Sequence, residues 1–337
     1  MKILFIGSLK FDYLQDLTYC GLARRLGVQN VIESRWNIHH HFKLKNYPKS
    51  IGYVRGSFFD SLRARLKKKQ FDLVLVASCK PDAFEDYLSL ASTIPPNIPV
   101  VFIDGGDFSE IGGDLGRLGR PELMDQALEV RPFDIIFKRE YMQGLSYEKS
   151  VSPLPFSFSN SVNIPSTPCA LKYDVAFWAV ESHPIRSKAL ALLEDRFDCK
   201  KNGTVRNQIF STYDRKGDRY FQELARCKIA LNFRGGGWDT LRYWEVPSVG
   251  RFLISQKPRI VIPNDFENHE SIVFCRDDLS DLIDLCHYYL KHESKREAIA
   301  RKAKDHLNAY HTNIKRADYI LAQINTLFSS RKSDVHV

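Results

Sequence analysis

Two short runs, Asp72-Leu-Val-Leu-Val-Ala-Ser78 and Pro99-Val-Val-Phe-Ile-Asp104, are apolar at nearly every position between polar ends. A strand that is apolar on both faces must be covered on both. The ordinary solution is a parallel sheet whose crossover helices pack above and below it. The rest of the chain follows this rhythm. Lys2–Ser8, Asn30–Arg35 and Asp134–Lys138 read as further strands. Leu14–Leu26, Ser57–Lys69, a segment opening at Pro81 and Glu122–Leu128 carry helical spacing between them. The pattern restarts with a strand over Tyr173–Val180 and a helix from Pro184 to about Asp195. A helix near Asp218–Cys227 and a strand over Lys228–Phe233 come next. Short strands are expected at Arg251–Ser255, Arg259–Pro263 and Ile272–Cys275, then helices at Asp277–Lys291, Ser294–Tyr310 and Ile314–Phe328, with a frayed polar tail from Ser329. The fold class is α/β and doubly wound, with ligands expected beyond the carboxyl ends of the strands.

At 337 residues the chain exceeds one core of about 150 residues, so two domains are expected. Pro153–Pro168, with four prolines, several serines and no helical pattern, is the candidate linker. The expected division is 1–160, 161–312 and a C-terminal helix and tail, 313–337, that packs back on the first domain. No segment offers the ~20 uninterrupted apolar residues needed to cross a membrane, and the N-terminus runs directly into a strand, so a cytoplasmic protein is expected. Seven scattered cysteines without a CxxC pair disfavour a disulfide framework or a zinc site. A net charge of +9 favours an acidic partner without choosing among nucleotide, nucleic acid and anionic surface. The densest basic run, Arg63–Lys69, reads as the solvated end of an amphipathic helix or as a contact with membrane or acceptor phosphates.

Leu231-Asn-Phe-Arg-Gly-Gly-Gly-Trp-Asp-Thr-Leu-Arg-Tyr-Trp-Glu245 sets a glycine-rich loop between a buried strand and a helix. Gly235, Gly236 and Gly237 permit close backbone approach and φ > 0, and a helix start aims unpaired N–H groups at an anion. Arg234 and Arg242 can neutralise phosphate, and Glu245, about one turn from Arg242, can accept from sugar hydroxyls. Trp238 and Tyr243 flank the loop and can stack on a base or sugar ring, while Trp244 reads as core. The alternative is a tight turn followed by an Arg–Glu surface pair.

The second half resembles the C-terminal domain of GT-B glycosyltransferases, in the CgeB-like and "glycosyl transferases group 1" branch. The residues that carry the resemblance are Lys228–Arg234, Arg242–Ile254, Asp265-Phe with Ile272–Leu279, Tyr288–Ala300 and His311–Ala317, preceded by Asp174-Val-Ala-Phe-Trp and Arg186. The resemblance implies two Rossmann-like domains facing a central cleft. It implies transfer of a sugar from a nucleotide-linked donor, held by the C-terminal domain, to an acceptor held by the N-terminal one. It places Glu245 on the donor ribose and Arg242 and Arg234 on the donor phosphates, with no metal and no cofactor beyond the nucleotide-sugar substrate. The acceptor is expected to be a cell-surface glycan, a lipid-linked precursor or a protein, with peripheral contact at the inner membrane face and no nucleic acid. Many retaining relatives keep an acid eight residues before the ribose-binding glutamate, and here Gly237 stands there; the glycine common after the first strand is replaced by Trp178 and Ala179. Donor identity and inversion or retention stay open.

In the first half, Asp104 and Asp107 sit at the carboxyl end of a buried strand, and either can serve as general base on an acceptor hydroxyl, with Asp107 favoured. Their alternative role is an Asp-Gly turn. Lys138 follows another strand end and is a candidate cleft residue, Gly7 follows the first strand, where the resemblance implies a loop near the donor phosphates or the acceptor, and His183 precedes Pro184 as a base or phosphate contact. His39-His-His41 reads as a solvated loop rather than a metal site. A nucleotide-sugar epimerase of the same architecture and a non-catalytic nucleic-acid or anionic-surface binder are the alternatives.

Overall fold

The computed structural model describes residues 1–43, 53–66, 70–159, 162, 169–209, 215 and 217–334. Met1–Lys43, Ile51–Ser161 and Thr312–Val337 form one compact unit, and Val162–His311 belong to a second.

In chain order the first unit holds β1 (Ile3–Ile6), α1 (Tyr13–Leu26), β2 (Val31–Glu33), α2 (Ile38–His41), α3 (Phe58–Leu66), β3 (Leu73–Val76) and α4 (Pro81–Ala91). It continues with β4 (Val100–Asp104), α5 (Gly113–Arg117), α6 (Glu122–Val130), β5 (Ile135–Lys138) and β6 (Val151–Pro153). The second unit holds β7 (Tyr173–Ala176), α7 (Pro184–Leu193), α8 (Cys199–Asn202), α9 (Gly217–Leu224), β8 (Cys227–Asn232) and α10 (Leu241–Ser248). Then come β9 (Phe252–Gln256), β10 (Val273–Cys275), α11 (Leu282–Lys291) and α12 (Glu293–Tyr310). The chain ends in α13 (Asn313–Asp334), which belongs to the first unit.

The first unit is a six-stranded sheet of order β2-β1-β3-β4-β5-β6 and the second a four-stranded sheet of order β10-β9-β8-β7. Every ladder between named strands is parallel. All four residues of β3 and all five of β4 are buried, as continuous apolar runs require. Asp12 caps α1, its carboxylate accepting from the Gln15 amide at 3.2 Å, and Gly27, at φ 87°, ends the helix. α13 lies on α1, where Ala317, Ile320 and Ile324 are fully buried and the Asn313 amide donates to the Phe158 carbonyl at 2.8 Å. Gly21 makes that approach possible, since a Cβ there would sit 2.3 Å from the Asn313 carbonyl oxygen.

Four expectations change. The proline-rich segment begins as an edge strand, β6, and continues through buried Leu154, Phe156 and Phe158, so 151–159 belongs to the first unit's core; most of 160–168 lies outside the described residues. Arg259–Pro263 contains only an isolated bridge residue, because prolines at 258 and 263 remove ladder donors at both ends. The C-terminal helix runs on to Asp334 instead of fraying from Ser329. His40 and His41 are buried rather than solvated. Lys67–Lys69, expected at the end of α3, lie outside the described residues. The seven cysteines are free and six are buried. Among the described residues no helix is long and apolar enough to cross a membrane.

Candidate functional site

In the second unit, the loop after β8 and the first turns of α7 and α10 converge on three arginines. Arg186 occupies the third position of α7, behind Pro184 and with no acid in the first turn. A cation there opposes the helix dipole, so its place must be fixed by other interactions. Its guanidinium donates to the carbonyls of Phe233, Arg234 and Val180 and to the Ser182 hydroxyl, at 2.9 to 3.3 Å. No carboxylate is among those partners. Burial, and then the neighbouring charge of Arg242, lower its pKa to about 9. A half-buried cation beside a second cation favours an anion bound between them.

Arg242 lies in the first turn of α10, donates from Nη2 to the Trp178 carbonyl at 2.5 Å and rests 5.1 Å from the Phe177 ring. Arg234 stacks on Trp238 at 4.3 Å, with Arg259 also 5.5 Å from that ring, and donates to the Gly236 carbonyl. The glycines act differently from expectation. The Gly235 amide is turned inward to the Gly237 carbonyl at 3.0 Å. Gly235 does not adopt a left-handed φ; it is glycine because a Cβ would sit 3.0 Å from Nη2 of Arg186. Thr240 anchors the start of α10 by donating to Asn232 at 2.7 Å, and Asn232 in turn donates to Ser255 on β9. The loop is therefore tied to two strand ends.

Glu245, one turn beyond Arg242, is buried and accepts from the Tyr220 hydroxyl at 3.0 Å. His183 is the N-cap of α7, its Nδ1 accepting from the Ile185 amide at 3.2 Å. Burial, then Arg234 and Arg186, lower its pKa. Tyr243 cannot stack on a ligand. It is fully buried against Trp244 and Phe266, with its hydroxyl donating to Asp265 at 2.7 Å.

In the first unit Asp104 and Lys138 are both fully buried and form a 2.9 Å ion pair across adjacent positions of β4 and β5. Asp104 also accepts from the Gly106 and Gly112 amides, at 3.1 and 2.8 Å. This corrects both expectations: Lys138 is no cleft residue, and Asp104 has no solvent-facing oxygen with which to take a proton. Asp107, three residues on, is the exposed carboxylate of that strand end, with its side chain 48% accessible, and it pairs with Arg139. Gly7 is also corrected. A Cβ would meet Gln15 at 2.7 Å, and the amides that follow are taken, Ser8 by Gln15 and Leu9 by Asp82, so the loop offers no anion cradle. Among the described residues no group of three or more His, Cys, Asp or Glu side chains is placed to hold a metal ion.

Sequence reasoning noted Arg186 only as a marker of likeness and missed its place against the loop after β8, along with Tyr220 and the Asn232–Thr240 tie. The available signal was His-Pro-Ile-Arg, a cation at the positive end of a helix.

Residues 188–322 match the Glycosyl transferase-like family. No curated protein matches the chain in sequence. Among solved structures, HepE of Anabaena in complex with UDP and glucose is 10% identical over 96% of this chain and 99% of its own, with a TM-score of 0.60. An α-glucosyltransferase in complex with UDP and a 13-mer DNA is 9% identical over 97% and 100%, with a TM-score of 0.59. Sucrose-phosphate synthase from Thermosynechococcus elongatus is 10% identical over 98% and 100%, with a TM-score of 0.55. The likeness spans essentially the whole of each chain.

Proposed function

From residues 188–322, which match the Glycosyl transferase-like family, and a whole chain of the GT-B fold, we propose a glycosyltransferase that moves a hexose from a UDP-sugar to an acceptor hydroxyl. One observation carries this reading: Arg186, Arg234 and Arg242 gather at the glycine loop, and half-buried Arg186 donates to carbonyls and a hydroxyl with no carboxylate among its described partners. A nucleoside diphosphate supplies the missing negative charge. As the glycosidic bond breaks, charge accumulates on the leaving diphosphate, and prearranged guanidinium groups stabilise it more than they stabilise the ground state. With that much fixed positive charge, transfer needs no divalent metal.

Glu245, oriented by Tyr220, accepts from the ribose hydroxyls, and Trp238, backed by Arg234, borders the donor. Asp107, the accessible aspartate after β4, takes the proton from the acceptor, whereas Asp104 and Lys138 hold the loop that carries it. The acceptor is a surface glycan, a lipid-linked precursor or a protein, met in the cytoplasm. DNA, present in one of the structural neighbours, is the alternative acceptor suggested by the charge of +9.

Thermal melts with UDP, GDP, CMP, dTDP and their sugars test the donor. UDP at 100 times its Kd should stabilise the chain by about 2.7 kcal/mol, and added chelator should leave that shift unchanged. Glu245→Ala should weaken UDP binding about tenfold, ~1.4 kcal/mol, with the fold intact. Unchanged affinity removes Glu245 from the site. No shift and no donor hydrolysis across the panel overturns the proposal, and an epimerised sugar appearing without acceptor converts it to an epimerase.

A further inference from the structure

α3 has its faces reversed relative to an ordinary surface helix. Its one fully buried residue is Ser61, whereas Phe59, Leu62 and Leu66 are 69%, 43% and 80% exposed. The spacing of three and four residues puts these side chains on one face, running over two turns. Ring contacts extend the patch: Phe59 touches Phe58 at 5.0 Å, and Phe58 touches exposed Phe42 at 5.7 Å. Scattered exposed apolar residues are normal, but a contiguous stripe on a helix marks an interaction surface.

The charge around the stripe narrows the partner. Among the described residues of the stretch 34–66, Lys43, Arg55 and Arg63 are exposed cations, Arg35 is paired with Asp86, and the one exposed acid is Asp60. Exposed Arg63 follows Leu62 on α3, and exposed Arg55 precedes the helix by three residues. An apolar face rimmed by cations fits the boundary between acyl chains and anionic headgroups. A second copy fits poorly, because a two-fold contact would set the same basic segment against itself. A nucleic acid would satisfy the cations and leave Leu62 and Leu66 in water.

We propose that α3 docks the first unit onto an anionic lipid surface, with Phe59, Leu62 and Leu66 entering the headgroup boundary and Arg63 and Arg55 binding lipid phosphates. As the place where an acceptor is met, this rests on the transferase reading. As a surface it does not, because the arginine cluster lies in the other unit.

The test is co-sedimentation of the full chain with vesicles of equal parts phosphatidylcholine and phosphatidylglycerol, and with phosphatidylcholine alone. The anionic vesicles should bind at least tenfold better, with high salt weakening the interaction. The double variant Phe59→Ser, Leu66→Ser should lose at least tenfold of that binding, and Arg63→Glu a smaller part. Both variants alter exposed side chains, and circular-dichroism melts with and without UDP confirm the fold and report the donor site separately. No binding to anionic vesicles, or full binding by the double variant, overturns the inference. A concentration-dependent dimer abolished by the double variant assigns the face to a second copy instead. Vesicle binding without any UDP response leaves this surface standing and sinks the transferase reading.

Discussion

Gly235 shows how a single side chain, or its absence, positions a charge. The atom that a Cβ would meet, Nη2 of Arg186 at 3.0 Å, is the free end of a flexible side chain rather than backbone. Gly235→Ala should therefore cost under ~1 kcal/mol of stability yet move the guanidinium, weakening UDP binding about tenfold. A melt paired with UDP titration checks this, and loss of fold together with binding would show that the glycine serves packing alone. Two other residues show where sequence reasoning reaches its limit. Asp104 and Asp107 look equivalent in the string, and only burial separates them: one is fully enclosed with Lys138, the other half-exposed beside Arg139. Trp244 read as core and is buried, but helix phase alone did not reveal that the ring of Tyr243 beside it packs inward as well.

At the scale of elements, β2, α1 and α2 are joined by a buried polar network. His40 bridges Glu33 at 2.7 Å and Asp16 at 3.0 Å, and His41 reaches the other oxygen of Glu33 at 2.7 Å. Tyr19 stacks on His40 at 4.1 Å, and Ser57 bonds His41. Burial alone would lower the His40 pKa, but hydrogen bonds to Asp16 and Glu33 outweigh it and raise it to about 9. Burial opposes ionisation of Glu33 as well, and the two histidines overcome it, bringing its pKa to about 2. A histidine with a raised pKa stabilises fully below its unfolded value near 6.5, and that contribution is lost as pH rises toward 9. The glutamate contributes above about 4.5 and loses its effect as pH falls toward 2. Urea unfolding should therefore show stability falling by ~3 kcal/mol from pH 6 to pH 9.5. His40→Gln should flatten that slope, and an unchanged slope would place its origin elsewhere. The three-histidine string reads as a solvated loop, its adjacent, diverging side chains arguing only against a metal site. Its burial depends on Glu33, seven residues before His40 and on the neighbouring strand, and on Asp16, 24 residues before it, which meet it only in the folded unit.

At the scale of the molecule, the first unit is built from both ends of the chain. α13 supplies Ala317, Ile320 and Ile324 to its core, and Arg316 donates to the Phe156 carbonyl at 2.9 Å across 160 residues. Burying an isoleucine is worth ~1.5–3 kcal/mol, so ending the chain after His311 should remove a large share of the 5–15 kcal/mol typical of a domain. Hydrogen exchange should then show α1 and the six-stranded sheet losing protection while the second unit keeps its own and still binds UDP. Full protection of α1 in the shortened chain would refute this. The sequence by itself determined the α/β class, the order of most strands and helices, the basic glycine loop and the absence of a cysteine framework, because apolar periodicity and turn chemistry act over a few residues. Only the tertiary structure decided which groups meet. The β4–β5 register locked Asp104 to Lys138, 34 residues away, and the approach of α7 to the end of β8 set Arg186 on carbonyls 47 and 48 residues away. A local pattern encodes that a side chain will be buried; its partner, and therefore its charge state and role, is fixed by chain segments that the pattern does not contain.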